Sequence, residues 1–397
     1  MNRRLLLVFV AEFFSPDTEY AAFGERTRAT AEGLGMAGFD IRVLVLRRSP
    51  NDGPPFSSSS YVFEPMPKTA SFFLRRNLAA NAIQRVLIFF EVLITVLKHR
   101  PELLVVSAHD PIFCMETSII ATIFATPFVI DAHDSRLVLA AEQSKEMGKG
   151  FKRALESSAM QRASRIWVPT QRMALMLTEE YDIPNRKFTV VANGVDSSRF
   201  ARVQNQTRGP HTILHLGGPR AYYDSATLVK AFRIVLAQVP DATLVFLGIR
   251  DDSYTRNVMR LCEELKVQEA IQFLPPAPPD LVPVFMSRAA LGVHTYALNP
   301  VYATTVGLKV AEYMAAGLPI LHRGPSGGET WKLIERCGAG RCAESVEGLA
   351  HHAIELLSDP GLRQSIGDQG RRMASTLDWK TTLEVAIQDA YFLTRHE

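Results

Sequence analysis

Lys309 and Glu312 stand three residues apart behind Gly307 and Leu308, in a stretch that reads as the first turn of a helix. Residues at that spacing share a helix face. A helix N-terminus offers unsatisfied N–H groups and the positive end of the dipole, so an added lysine makes an anion site suited to a diphosphate. A carboxylate one turn later can accept two hydroxyl hydrogen bonds, the geometry a ribose offers. The same spacing also suits an ordinary Lys–Glu surface pair on a helix that ends at Gly317-Leu318-Pro319.

Two glycine-bearing loops belong to the same half of the chain. Gly217 and Gly218, followed by Arg220, come after one apolar run, and Gly327-Gly328 comes after another. Loops of this kind let backbone N–H groups approach phosphate oxygens. Arg250, behind a third run, and Thr304 and Thr305, just ahead of Gly307, complete the candidate donor-side set. No Gly-x-x-x-x-Gly-Lys-Ser/Thr motif occurs, which excludes a P-loop nucleotidase.

Gly33, Gly35 and Gly38 match the spacing of a dinucleotide fingerprint, but a helical stretch precedes them and a strand-like run follows. The fingerprint requires the reverse order, so these glycines are expected to end a helix and turn the chain. His133, followed by Asp134, lies where a predicted strand ends, the position from which side chains of an α/β domain project into a ligand site. It is either a group that contacts a bound sugar or developing charge, or a structural histidine between two carboxylates. Cys337 and Cys342 have no second Cys/His pair nearby to complete a zinc site, so no metal is expected.

These residues are carried by short apolar runs alternating with amphipathic stretches, the pattern of parallel sheets wrapped by helices. Strands are predicted at 5–10, 41–46, 103–107, 128–131, 165–168 and 189–191, then at 212–216, 243–247, 271–274, 291–295 and 320–321. The polar stretch 201–210 ends in Gly-Pro and reads as a linker. The 397 residues therefore divide into two α/β domains, 1–203 and 209–378, with a ligand cleft expected between them.

Composition narrows the partners. With 47% hydrophobic and 21% charged residues the chain is neither disordered nor unusually polar. A formal net charge of +3 gives no nucleic-acid footprint. The apolar start is broken by Glu12 and lacks a cleavage site, so a first strand is expected there instead of a signal peptide. A cytoplasmic protein is expected. Residues 68–100 hold six Lys/Arg against the single acid Glu91, around apolar residues that include Phe72 and Phe73 and the run Leu87 to Phe90. Such a tract suits either an anionic membrane surface on the inner face or a helix packed on its own sheet with a basic rim.

Taken in order, Gly24-Glu25-Arg26, His133-Asp134, the segment 162–177, VVANGVDSSRF, Leu216-Gly217 and EYMAAGLPI resemble the retaining, nucleotide-sugar-dependent glycosyltransferases of family 4. The resemblance runs nearly end to end. It implies the GT-B fold, two Rossmann-like α/β/α domains facing across a cleft. The second domain would bind the nucleoside diphosphate-sugar, with UDP favoured over GDP, and that donor is a co-substrate, not a cofactor. The first would bind a sugar, glycolipid or small-molecule acceptor beside Gly24, Glu25, Arg26 and Asp134. A final helix near 379–397 would cross back to the first domain. Glu312 matches a ribose-binding glutamate, and Lys309 a lysine that contacts the diphosphate in a related subgroup. His133, Lys309 and Arg220 are the expected catalytic groups.

Three departures accompany the resemblance. Thr304 stands where the family has an acid, Gly218 and Tyr223 where it has phosphate-binding Arg and Lys, and its Gly-Gly loop is reduced to Gly24. They leave open two other readings, a nucleotide-sugar epimerase of the same fold and a donor-binding partner subunit. A nicotinamide dehydrogenase is the weakest.

Overall fold

A computed structural model describes residues 3–12, 21–47, 59–64, 78–107, 111–133, 149–201 and 209–395. The chain forms two units, one of Met1–Ala192 with Thr382–Glu397 and one of Asn193–Thr381. The divide precedes the polar stretch 201–210. Asn193 and Val195 belong to the second unit because the Asn193 amide donates to the Val306 carbonyl at 2.9 Å and Val195 N–H donates to the Leu377 carbonyl at 2.8 Å.

In the first unit β1 (Arg4–Glu12), β2 (Asp40–Arg47), β3 (Val62–Glu64), β4 (Leu103–Ser107), β5 (Phe128–Asp131), β6 (Arg165–Val168) and β7 (Phe188–Val190) form a sheet in the order β3-β2-β1-β4-β5-β6-β7. Every pairing is parallel. Its helices are α1 (Ala21–Met36), α2 (Leu78–His99), α3 (Pro111–Ile123), α4 (Lys149–Arg162) and α5 (Gln171–Tyr181). Parallel strands covered on both faces must be apolar throughout, and β4 and β5 are buried at every residue.

The three spaced glycines are accounted for inside α1 and its stop. Gly38 takes φ +93°, the left-handed conformation that ends a helix cheaply only with glycine. Gly35 lies against the backbone of Ser60, where a Cβ would come within 2.0 Å of the carbonyl oxygen. Gly24 sits inside α1, not in a loop.

In the second unit α6 (Ser198–Ala201) leads to β8 (Thr212–Leu216), α7 (Ser225–Gln238), β9 (Thr243–Leu247), α8 (Ser253–Glu264), β10 (Ile271–Leu274), α9 (Val282–Arg288), β11 (Leu291–Thr295), α10 (Leu308–Ala315), β12 (Ile320–Arg323), α11 (Glu329–Cys337) and β13 (Gly340–Ala343). Helices α12 (Val346–Ser358) and α13 (Pro360–Ala374) follow, and α14 (Trp379–Thr382) ends where the first unit resumes at Thr382. The parallel sheet runs β10-β9-β8-β11-β12-β13, so the order reverses between β8 and β11. Helix α15 (Glu384–Leu393) returns to the first unit, where Asp389 accepts from Trp167 Nε1 at 3.0 Å and the Tyr391 ring lies tilted at 40° against Phe39, 4.7 Å between centroids.

Candidate active site

In an open α/β sheet the carboxyl ends of the strands flanking the reversal diverge and leave a crevice for ligand. In the second unit that place is the end of β8 and β11, and the sequence-predicted donor residues gather around it. Leu216 ends β8, and Gly217 turns the chain away at φ +91°. Gly218 has no room for any side chain, because a Cβ would lie 2.6 Å from the Gly248 carbonyl oxygen and 2.7 Å from Ile249 Cα. The arginine that the family resemblance puts there could not be accommodated.

Positive charge reaches the crevice from α10 instead. Lys309 Nζ donates to the Leu216 carbonyl at 2.5 Å and lies 3.8 Å from the centroid of the Tyr223 ring. Tyr223, which stands where the family has a lysine, thus supplies a cation–π face for a lysine brought from another element. Lys309 is half-buried as a residue, and burial of its ammonium pulls the pKa down to about 7; Glu312 opposes that shift and Arg220 adds to it. Arg220 is itself buried, with its guanidinium shared between the Pro219 carbonyl at 2.6 Å and Asp252 at 3.3 Å.

The start of α10 has no side-chain cap at Gly307, so its first N–H groups keep no partner from a capping side chain. Beneath it lie two buried histidines that sequence reasoning missed. His322 Nδ1 lies 2.9 Å from the His294 carbonyl and 3.2 Å from His294 Nδ1. Hydrogen-bond logic puts the proton on His322 Nδ1, which leaves His294 protonated at Nε2. Burial keeps both rings neutral, with His322 drawn down to about 4. Among the described residues His294 Nε2 has no hydrogen-bond partner, and a Cβ on Gly307 would lie 2.7 Å from it. Gly307 has φ −66° and ψ 136°, which alanine adopts without strain. Gly307→Ala is therefore expected to displace the start of α10 from a packed ring, costing about 1–3 kcal/mol of stability and weakening donor binding more than tenfold. Thermal unfolding and titration with UDP would check the two effects separately.

The other donor-side candidates spread around this centre. Thr304 is buried, and its hydroxyl donates to the Val301 carbonyl at 2.8 Å. Thr305 is buried, with Oγ1 unpartnered. Leu308 opens α10, and Glu312 follows one turn after it, half-buried. Arg250 lies in the loop after β9. Gly327 takes φ +64°, and Gly328 caps α11 while its own N–H donates to the Pro325 carbonyl at 3.0 Å.

The acceptor-side candidates lie in the first unit. His133 is buried just past β5, with Nε2 2.9 Å from Asp131 Oδ2 and 3.3 Å from Ser107 Oγ. Burial lowers its pKa against the opposing pull of Asp131. Arg26 is buried too, clamped on Asp131 at 2.8 Å and on the Val191 carbonyl at 2.9 Å. Glu25 is on the α1 surface, paired with Arg28 at 2.7 Å. Asp134 lies outside the described residues. Among the described residues no group of three or more His, Cys, Asp or Glu side chains could hold a metal ion.

Residues 24–199 match the family model described as Glycosyltransferase Family 4, and residues 197–373 match Glycosyl transferases group 1. A D-inositol 3-phosphate glycosyltransferase of Corynebacterium glutamicum (strain R) is 25% identical over 254 residues, 58% of this chain and 58% of that protein. The chain thus spans less than two thirds of that relative's length. Sucrose-phosphate synthase from Thermosynechococcus elongatus superposes with a TM-score of 0.77 at 14% identity, covering 99% of this chain and 100% of the other. Anabaena HepE in complex with UDP and glucose gives 0.70 at 16% identity, with 98% and 99% covered. The fold is GT-B, as the resemblance implied.

Proposed function

Because the chain belongs to the family 4, group 1 glycosyl transferases, we propose that it moves a sugar from a nucleoside diphosphate-sugar to an acceptor hydroxyl with retention at the anomeric carbon. The observation that carries this reading is the Lys309 ammonium held at the β8 end, beside the uncapped start of α10. Breaking the bond between sugar and diphosphate develops charge on the leaving phosphate and oxocarbenium character on the sugar. The leaving group is already nearly anionic, so it needs neutralisation more than a proton. Lys309 and the α10 N–H groups supply that without a metal ion. Arg220 contributes at longer range, since Asp252 answers part of its charge.

Glu312, one turn further on, holds the ribose hydroxyls. UDP is favoured over GDP, and the likeness to a protein crystallised with UDP and glucose supports that preference. The leaving phosphate takes the acceptor's proton on the same face, a route that needs no carboxylate nucleophile. His133 contacts the sugar or its acceptor from the first unit. The acceptor is a sugar, glycolipid or small molecule in glycan, polysaccharide or glycolipid synthesis, reached from the cytoplasmic side.

A thermal-shift panel of nucleoside diphosphates and their sugars tests the donor half of this reading. A ligand at 100-fold over its Kd adds about 2.7 kcal/mol of stability. UDP and one UDP-sugar are expected to raise the midpoint, with GDP weaker. No response to any member would overturn the proposal. Turnover of the donor in the absence of acceptor would assign the chain to an epimerase.

A further inference from the structure

A helix rests on its sheet through an apolar face. Within the tract 68–100, α2 does so: Ile88, Val92 and Val96 are buried in the core of the first unit, while Lys68 and the phenylalanines at 72 and 73 lie outside the described residues. Helix α10 of the second unit does more. It also bonds to the backbone of β8, where the strand order of the sheet reverses.

Strands β8 and β11 pair from Ile213 opposite Leu291 to His215 opposite Val293, whereas β11 stays paired with β12 as far as Thr295 opposite Arg323. Leu216 thus ends β8 beyond its pairing with β11. The next N–H, of Gly217, donates to Leu247 of β9 at 2.7 Å, on the other side of the strand. Buried backbone groups have to find partners, and those of Leu216 find them on α10. The Tyr313 hydroxyl accepts from the Leu216 N–H at 3.0 Å, and Lys309 Nζ donates to the Leu216 carbonyl. Residues 309 and 313 are four apart and share one helix face, so a single turn of α10 holds both backbone groups of the residue that ends β8.

The tyrosine hydroxyl works on both strands of the reversal. Its one proton lies within reach of the Leu214 carbonyl of β8 at 3.1 Å and the Val293 carbonyl of β11 at 3.3 Å. Tyr313 is fully buried, and that burial keeps the phenol protonated and able to donate. Gly292 of β11 makes room for it, because a Cβ there would lie 2.7 Å from the Tyr313 ring. Phenylalanine would fill the same slot but could bond to none of the three backbone groups.

We propose that Tyr313 is a positioning residue for Lys309: its hydroxyl fixes α10 against the ends of β8 and β11 and so holds the lysine ammonium in the diphosphate site. The inference rests on the donor-site reading given above. A charge misplaced by about 1 Å loses much of its effect on the group it has to meet, at a cost of up to about 100-fold.

The test is calorimetric titration of UDP into wild type, Tyr313→Phe, Lys309→Met and the double variant. Tyr313→Phe is expected to weaken UDP binding about tenfold when Lys309 is present. In the Lys309→Met background the same change should cost less than about twofold, since two changes that act through one group are not additive. A second readout needs no ligand: the Lys309 pKa, followed by NMR in a chain carrying ¹³C-labelled lysine. Tyr313→Phe should move it up from about 7 towards the ordinary lysine range, because the ammonium leaves its enclosed place while its charged neighbours Glu312 and Arg220 are untouched. Gly292→Ala, which presses the ring out of its slot and leaves the hydroxyl in the chain, should shift both readouts in the same directions. Equal weakening of UDP binding by Tyr313→Phe in the two backgrounds would overturn the proposal, as would an unchanged Lys309 pKa. A raised pKa together with full UDP affinity in Lys309→Met would uphold the positioning role and overturn the donor-site reading instead.

Discussion

Lys309→Met should lower the transfer rate by about 10²–10³-fold, the usual cost of deleting one preorganised group that stabilises charge in the transition state. The same change should make the ligand-free chain more resistant to unfolding. Both effects come from one placement. The ammonium is enclosed between the Leu216 carbonyl and the Tyr223 ring, and burial brings its pKa to about 7. A diphosphate oxygen beside it would favour the charged form and raise that value. Donor binding therefore takes up a proton above pH 7, and donor affinity is expected to fall by up to about tenfold per pH unit there. For stability the sign is the opposite. Between about 7 and the ordinary lysine value near 10.4 the unfolded chain binds more protons than the folded one, so wild-type stability gains with pH across that window. The advantage of the methionine variant is greatest below pH 7 and shrinks above it. Donor dissociation constants and thermal unfolding at pH 6 and pH 9, on either side of the Lys309 value, would check both signs. A variant with full transfer rate would remove Lys309 from the leaving-group site.

Much of this arrangement is legible in the sequence because parallel strands buried on both faces must be short apolar runs. The predicted strands 103–107, 128–131, 165–168, 212–216, 243–247, 271–274 and 291–295 coincide with β4, β5, β6, β8, β9, β10 and β11. The strands that escape are β3 and β13, both at sheet edges. An edge strand pairs on one side only and need not be apolar: Gly340-Arg341-Cys342-Ala343 carries no strand pattern, and Gly340 is there because a Cβ would meet the Ile320 carbonyl oxygen at 1.9 Å. Local pattern also marks Lys309, Glu312 and Gly307, which lie within one helical turn or two. It cannot show that Tyr223 lies under Lys309, or that His294 and His322 meet, because those contacts join different elements. The apparent loss of basic residues at Gly218 and Tyr223 has the same origin. Read along the chain it is a missing charge; in space the charge arrives from α10.

The largest expected loss of stability follows from a pair in the first unit. Arg26 and Asp131 are 105 residues apart, almost wholly buried, and joined by three hydrogen bonds of 2.8 to 3.2 Å. Asp131→Ala would take from the buried Arg26 guanidinium the carboxylate it is paired with. An uncompensated buried charge of this kind costs about 3–5 kcal/mol. In a unit of this size that is a fall of about 6–20 °C in the thermal midpoint. Replacing both members, Arg26→Met with Asp131→Leu, should recover a large part of the loss, since an apolar pair needs no counter-charge. Burial alone would push the Asp131 carboxyl upward; Arg26 and His133 outweigh it and hold it well below the ordinary carboxylate range. Its folded pKa is thus depressed. The stability it contributes is complete above the unfolded value near 3.9 and is lost as pH falls through the folded one. Wild type and the Arg26→Met/Asp131→Leu pair should accordingly converge in stability below pH 4, about where the unfolded carboxyl titrates. Asp131 also lies 2.9 Å from His133 Nε2, so the double variant tests a second consequence: a chain that regains stability but not transfer rate gives the Arg26–Asp131 pair a role in transfer beyond stability.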